Sequence, residues 1–171
     1  MNNLLLLGLL LTFVPATTRE TGEVPPETLY DFWVGEWELT WTGRDGETYH
    51  GENTIRKIMN GKVIEENFRA LDGELKGYEG RSWSVYDEVQ KGWKQTWVDN
   101  QGGYLDFDGK ADGDRRIFYR VSTDAEGNER HSRMVFYNIT EDALDWDWQM
   151  SEDAAASWQT VWAIHYKRKG R

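Results

Sequence analysis

The sequence predicts an all-β protein: an antiparallel up-and-down β-barrel of eight to ten strands with a short N-terminal helix. Three observations predict it. From Gly35 to the C-terminus apolar and polar side chains alternate with a period of two, and no stretch of ordinary helix length shows helical spacing. Turn signals follow one another closely, at Arg44-Asp45-Gly46, Asn60-Gly61, Asp72-Gly73 and Gln101-Gly102-Gly103. The last proline is Pro26, so no later strand is interrupted by one. Consecutive strands joined by short turns pair antiparallel, and so many in one chain close into a barrel or stack as a sandwich.

A length of 171 residues suits one domain. The chain has no Cys, which excludes a disulfide scaffold, thiolate metal sites and cysteine catalysis. Asp and Glu number 30 against 20 Lys and Arg, a formal net charge of −10, and a nucleic-acid binder needs the opposite balance. Ten Trp and 14% aromatic residues are too many for a disordered acidic chain.

Residues 4–14 form an apolar run too short to span a bilayer, which takes roughly 20 residues. Val14-Pro15-Ala16 follows with the small or branched residues of a cleavage site, although Met1-Asn2-Asn3 lacks the usual basic side chain. Residues 1–16 are therefore expected to be a signal peptide, 17–26 a flexible lead-in and 27–171 the barrel domain. A Cys-free exported chain fits a bacterial periplasm or secretion, with no integral membrane association after cleavage.

The elements follow in order. Residues 27–33 form the short helix, started by Pro26 and placed to plug one barrel end. Strands are expected at 36–42, 48–59, 62–71, 78–86, 93–99, 104–107, 116–122, 131–138, 144–150 and 157–166, with 110–114 as a polar turn. Turn geometry fixes the inner face. A two-residue turn at Asn60-Gly61 sets Ile55 opposite Glu66 and Asn53 opposite Phe68, with the complementary charges of Arg56 and Glu65 on the other face. A three-residue loop at Arg44-Asp45-Gly46 brings Trp37 opposite Asn53. Both hairpins put Trp37, Leu39, Trp41, Asn53, Ile55, Ile64, Glu66 and Phe68 inside, an assignment that a one-residue slip would invert. The Trp pairs 37/41, 93/97, 146/148 and 158/162 have even spacing, so each is expected to share the inner face of one strand.

The segments FWVGEW, NGKVIEENF, GRSWSVYD and GWKQTWVDNQGGYLDFDG carry a family likeness. Through them the chain resembles the bacterial domain-of-unknown-function 1579 family over about residues 29–166 of its sequence. That resemblance implies a lipocalin-like (calycin-type) barrel and no particular activity. The Gly35-Glu36-Trp37 opening also resembles the Gly-x-Trp signature of lipocalins.

Polar residues on an aromatic inner face are the functional candidates: Asn53, Glu66, Gln95 and Asp99, with Trp41 and Trp97 beside them. A buried carboxylate is costly unless paired. Such groups either satisfy one another, fix a ligand in a cavity, or catalyse through a perturbed carboxyl. No catalytic residue is assigned. No metal or cofactor is expected either. His50, His131 and His165 lie on separate strands without ligand spacing, and His165 falls on the outer face, against a haem role. The run Asp106, Asp108, Asp112, Asp114 departs from the calcium-loop pattern at Lys110 and Ala111. The expected function is a non-catalytic exported barrel holding a small hydrophobic or amphipathic ligand. Its alternatives are a carbohydrate-binding module using Trp platforms and an enzyme using Glu66 and Asp99.

Overall fold

The computed structural model describes residues 24–170; the expected signal peptide, 1–16, and residues 17–23 of the expected lead-in lie outside them. Ten strands form: β1 (Gly35–Thr42), β2 (Thr48–Ile58), β3 (Val63–Ala70), β4 (Glu79–Asp87), β5 (Gly92–Asp99), β6 (Tyr104–Asp112), β7 (Arg115–Thr123), β8 (Glu129–Tyr137), β9 (Ala143–Ser151) and β10 (Gln159–Arg168). Each pairs antiparallel with its neighbours in sequence, and β1 pairs with β10, so the sheet is a closed up-and-down barrel.

Both hairpin registers are the expected ones. Ile55 faces Glu66, Asn53 faces Phe68 and Arg56 faces Glu65 across β2 and β3. Trp37 faces Asn53 across β1 and β2, and all eight residues assigned inward there are buried. The turn at Asn60-Gly61 is wider than the two-residue form. The β2–β3 ladder ends at Ile58 and Val63, and Met59, Asn60 and Gly61 all take positive φ.

The expected helix over 27–33 is instead two 3-10 turns, Pro26–Thr28 and Asp31–Trp33. Residues three apart eclipse in that geometry, which suits Tyr30 and Trp33, both buried in one end of the barrel. Tyr30 stacks on Phe118 with ring centroids 4.2 Å apart, and its hydroxyl donates to the Ile117 carbonyl at 2.7 Å. The Trp93 indole donates to the Pro26 carbonyl, and the Trp37 indole to that of Trp33. Arg168 of β10 lies over the Trp37 ring at 4.1 Å and donates to the carbonyls of Phe32 and Val34. The plug is thus bonded to both the wall and the closing strand.

Two further expectations are corrected. β6 does not end at Phe107; it continues to Asp112, through the segment read as a turn. Gly109 is a point of close approach: a Cβ there would lie 2.7 Å from Phe118 and 2.9 Å from the Tyr30 hydroxyl. Trp158 is not on the inner face. Val161 is an extra residue in β10, bulged between the pairs Thr160–Gln149 and Trp162–Trp148. The bulge reverses the parity, so Trp158 packs outside under the Arg133 guanidinium, 4.0 Å from the ring centre. β9 follows expectation: Trp146 and Trp148 face inward, and Asp147 on the outer face accepts from Tyr137, Gln149 and Thr160.

Candidate functional site

The inner faces of the strands are filled with aromatic side chains at the plugged end and leave space towards the other. A cavity of about 240 Å³ lies there. Its walls are Phe68, Trp97, Phe107, Trp146, Trp148, Trp162 and Tyr166, with Tyr78, Leu105, Met134 and Ile164 between them and Glu66 as the single carboxylate among the described residues. Tyr78, Trp97, Leu105, Trp148 and Trp162 are only partly buried, so the cavity reaches the surface between them. Rings meet edge to face around it: Trp162 with Trp146, with Trp41 and with Phe68, and Phe107 with Trp148. Such contacts hold an aromatic wall open in one shape.

Glu66 is 5% exposed and sits mid-strand on β3. One carboxylate oxygen accepts from the Asn53 side-chain amide at 2.7 Å, the other from the Ser82 hydroxyl at 2.6 Å. Both donors are neutral. Burial therefore wins over these two bonds and pushes the carboxyl up to about 7. Asn53 is itself 1% exposed, with its amide 3.4 Å from the Tyr166 hydroxyl. Its Oδ1 is buried with no hydrogen-bond partner among the described residues. Burial likewise raises the Tyr166 phenol, with the nearby Glu66 charge adding to it.

The six candidate residues divide. Glu66 and Trp97 line the cavity, and Asn53 holds Glu66. Trp41 stands behind the wall, edge to face against Trp162. Gln95 is inward and buried but off the cavity wall; its amide donates to the Ser84 hydroxyl at 3.0 Å. Asp99 is at the end of β5 and only partly buried, where it organises the 99–103 turn. It accepts from the backbone N–H groups of Gln101 and Gly103, from the Trp97 indole and from the Tyr78 hydroxyl. Burial opposes its charge, but these bonds outweigh burial and hold its carboxyl below the ordinary range. The structure thus does not bring Glu66 and Asp99 together on one wall, and their carboxyls shift in opposite directions.

Ser82 and Tyr166 were not among the sequence candidates. Ser82 reaches Glu66 through the β3–β4 register, which the 71–78 loop sets with a 3-10 turn at Gly73–Leu75. Tyr166 arrives through barrel closure, where Leu39 pairs with Tyr166 and no turn joins the strands. Trp97 is positioned by Gly80 on β4: a Cβ there would lie 1.9 Å from the Trp97 ring. The loops around the open end, 43–47, 71–78, 99–103, 124–128 and 152–158, are predominantly acidic. They carry Asp45, Glu47, Asp72, Glu74, Asp99, Asp124, Glu126, Glu152 and Asp153 against Arg44 and Lys76.

The chain matches no protein-family model and no curated protein. Among solved structures it is similar to a de novo designed fluorescence-activating β-barrel, at 12% identity and a TM-score of 0.44, covering 84% of this chain and 98% of that one. A redesigned β-barrel is similar at 10% identity and a TM-score of 0.43, over 82% of this chain and 94% of the other.

Proposed function

We propose that the protein is an exported, non-catalytic carrier that holds one small, mostly apolar ligand in the barrel cavity. The observation that carries this reading is an aromatic cavity of about 240 Å³ with one hydrogen-bonded carboxyl in its wall. Apolar lining with a few placed polar groups is the usual make-up of a small-molecule site. The volume suits about a dozen non-hydrogen atoms at protein packing density. The lipocalin-like character and the kinship with the domain-of-unknown-function 1579 family belong to the same reading, supported by Gly35-Glu36-Trp37 at the plugged end and by the single meander of strands.

The alternatives have less in their favour. A sugar platform needs exposed Trp rings, and among the described residues no Trp is one of the exposed large hydrophobic side chains. A two-carboxylate enzyme needs Glu66 and Asp99 on one cavity, and Asp99 is committed to its turn. The test is native mass spectrometry of the protein purified, without unfolding, from the periplasm of its own host. A co-purified mass of a small organic molecule, lost on refolding from urea, is the expected result. An unladen protein that also takes up none of a panel of small apolar compounds would refute the reading.

A further inference from the structure

Resting on that reading of the cavity, we propose that its ligand is a small organic cation, an amine carried on an aromatic or alkyl body. Four features point the same way. Glu66 presents a buried carboxylate to the cavity, and among the described residues no Lys, Arg or His lines the walls to pair with it. Its two hydrogen bonds come from the neutral groups of Asn53 and Ser82, which do not supply the opposite charge that a buried carboxylate favours. Behind it, off the cavity wall, the Asn53 Oδ1 is a second buried acceptor without a partner among the described residues, so acceptors are in excess around the carboxylate. The remaining walls are mostly aromatic, with Leu105, Met134 and Ile164 between the rings, and an aromatic ring attracts a cation to its face through its negative quadrupole.

The surroundings agree. The loops at the mouth are predominantly acidic, and an acidic rim raises the local concentration of cations. The ionisable groups facing Glu66 across the cavity are the Tyr166 and Tyr78 phenols, both shifted upward chiefly by burial and so uncharged. Asp99 is off the cavity wall, and so is Arg120, which shares the inner parity of β7. With Glu66 titrating near neutrality, a bound cation draws its proton off, and amine affinity rises with pH until Glu66 is fully ionised.

The test is calorimetric titration of the refolded full chain with three probes of one shape: phenethylamine, 2-phenylethanol and 3-phenylpropanoate. At about pH 8 the amine is expected to bind roughly tenfold or more tightly than the alcohol, and the acid most weakly. At about pH 5.5 the advantage of the amine shrinks towards parity as Glu66 takes up its proton. Glu66→Gln removes the advantage of the amine over the alcohol at every pH. If that variant does not fold, the pH series on the natural sequence decides alone. Equal binding of amine and alcohol at the higher pH, or preference for the acid, overturns the cation proposal and leaves the cavity reading standing. Failure of all three probes to bind overturns both.

Discussion

Glu66→Gln should make the protein more stable at alkaline pH, the reverse of what removing a hydrogen-bonded charge usually does. The carboxyl moves from 4.5 to about 7 on folding because burial outweighs its bonds from Ser82 and Asn53. A raised acid binds its proton more tightly when folded, so stability is full below the unfolded value and falls as pH rises from about 4.5 to 7. A shift of that size corresponds to about 3 kcal/mol. Glutamine copies the protonated acid: it still accepts from Asn53 and can donate to the Ser82 hydroxyl. Urea melts of both proteins, refolded so that no ligand is retained, should therefore agree near pH 4.5 and diverge by about 3 kcal/mol near pH 8, the variant being more stable. Below about pH 4 both should weaken together, because Asp153, Asp99 and Asp124 are held below their ordinary values in the fold and must be protonated there. A variant less stable than the natural protein at pH 8, or a gap independent of pH, would refute the assignment of an uncompensated buried carboxyl.

Other expectations concern packing. Gly80→Ala drives a methyl group into the Trp97 ring, so it should cost about 1–3 kcal/mol in a thermal melt and weaken ligand uptake; an unchanged Tm would show that Trp97 is free to move aside. Trp37→Ala should cost about 3–5 kcal/mol, because that ring is fully buried and its indole bonds the plug, whereas Trp158→Ala should cost under about 1 kcal/mol. Comparable losses at the two positions would contradict the bulge at Val161. Tyr30→Phe leaves the Ile117 carbonyl without its donor and should cost about 1 kcal/mol, read by urea denaturation.

Much of the barrel was legible because its information is local. The β1–β2 and β2–β3 turns each have a countable length, so alternation plus turn geometry fixed which way Asn53, Ile55 and Glu66 point. Where a pairing depends on contacts distant in sequence, legibility ended. Tyr166 joins Asn53 only through the β1–β10 closure, and Ser82 joins Glu66 across a loop whose path depends on its own 3-10 turn. Trp158 misled because a bulge is one inserted residue with no composition of its own, and parity downstream of it inverts. The segment 110–114 misled for a different reason: its Lys and Asp residues look in sequence like a polar turn, whereas β6 runs on through it to Asp112. Among the site residues, parity separated inward from outward correctly for Glu66, Gln95 and Asn53. It carried no information on depth along the barrel, which is what puts Glu66 on the cavity and Gln95 outside it.

The most direct test of a ligand-binding cavity uses the ten indoles of the chain as reporters. In a nitrogen–proton NMR spectrum each Trp side chain gives its own N–H signal, assignable by single substitution. Trp97, Trp146, Trp148 and Trp162 line the cavity, Trp33 and Trp37 belong to the plugged end, and Trp158 is outside. Titrating phenethylamine into the refolded protein at about pH 8 should shift the four cavity signals along one saturable curve. The signals of Trp33, Trp37 and Trp158 should stay in place. Saturable shifts centred on Trp158 would move the binding site to the outer surface, and no shift at any of the four cavity signals, with phenethylamine or with 2-phenylethanol, would show that the cavity takes no such ligand.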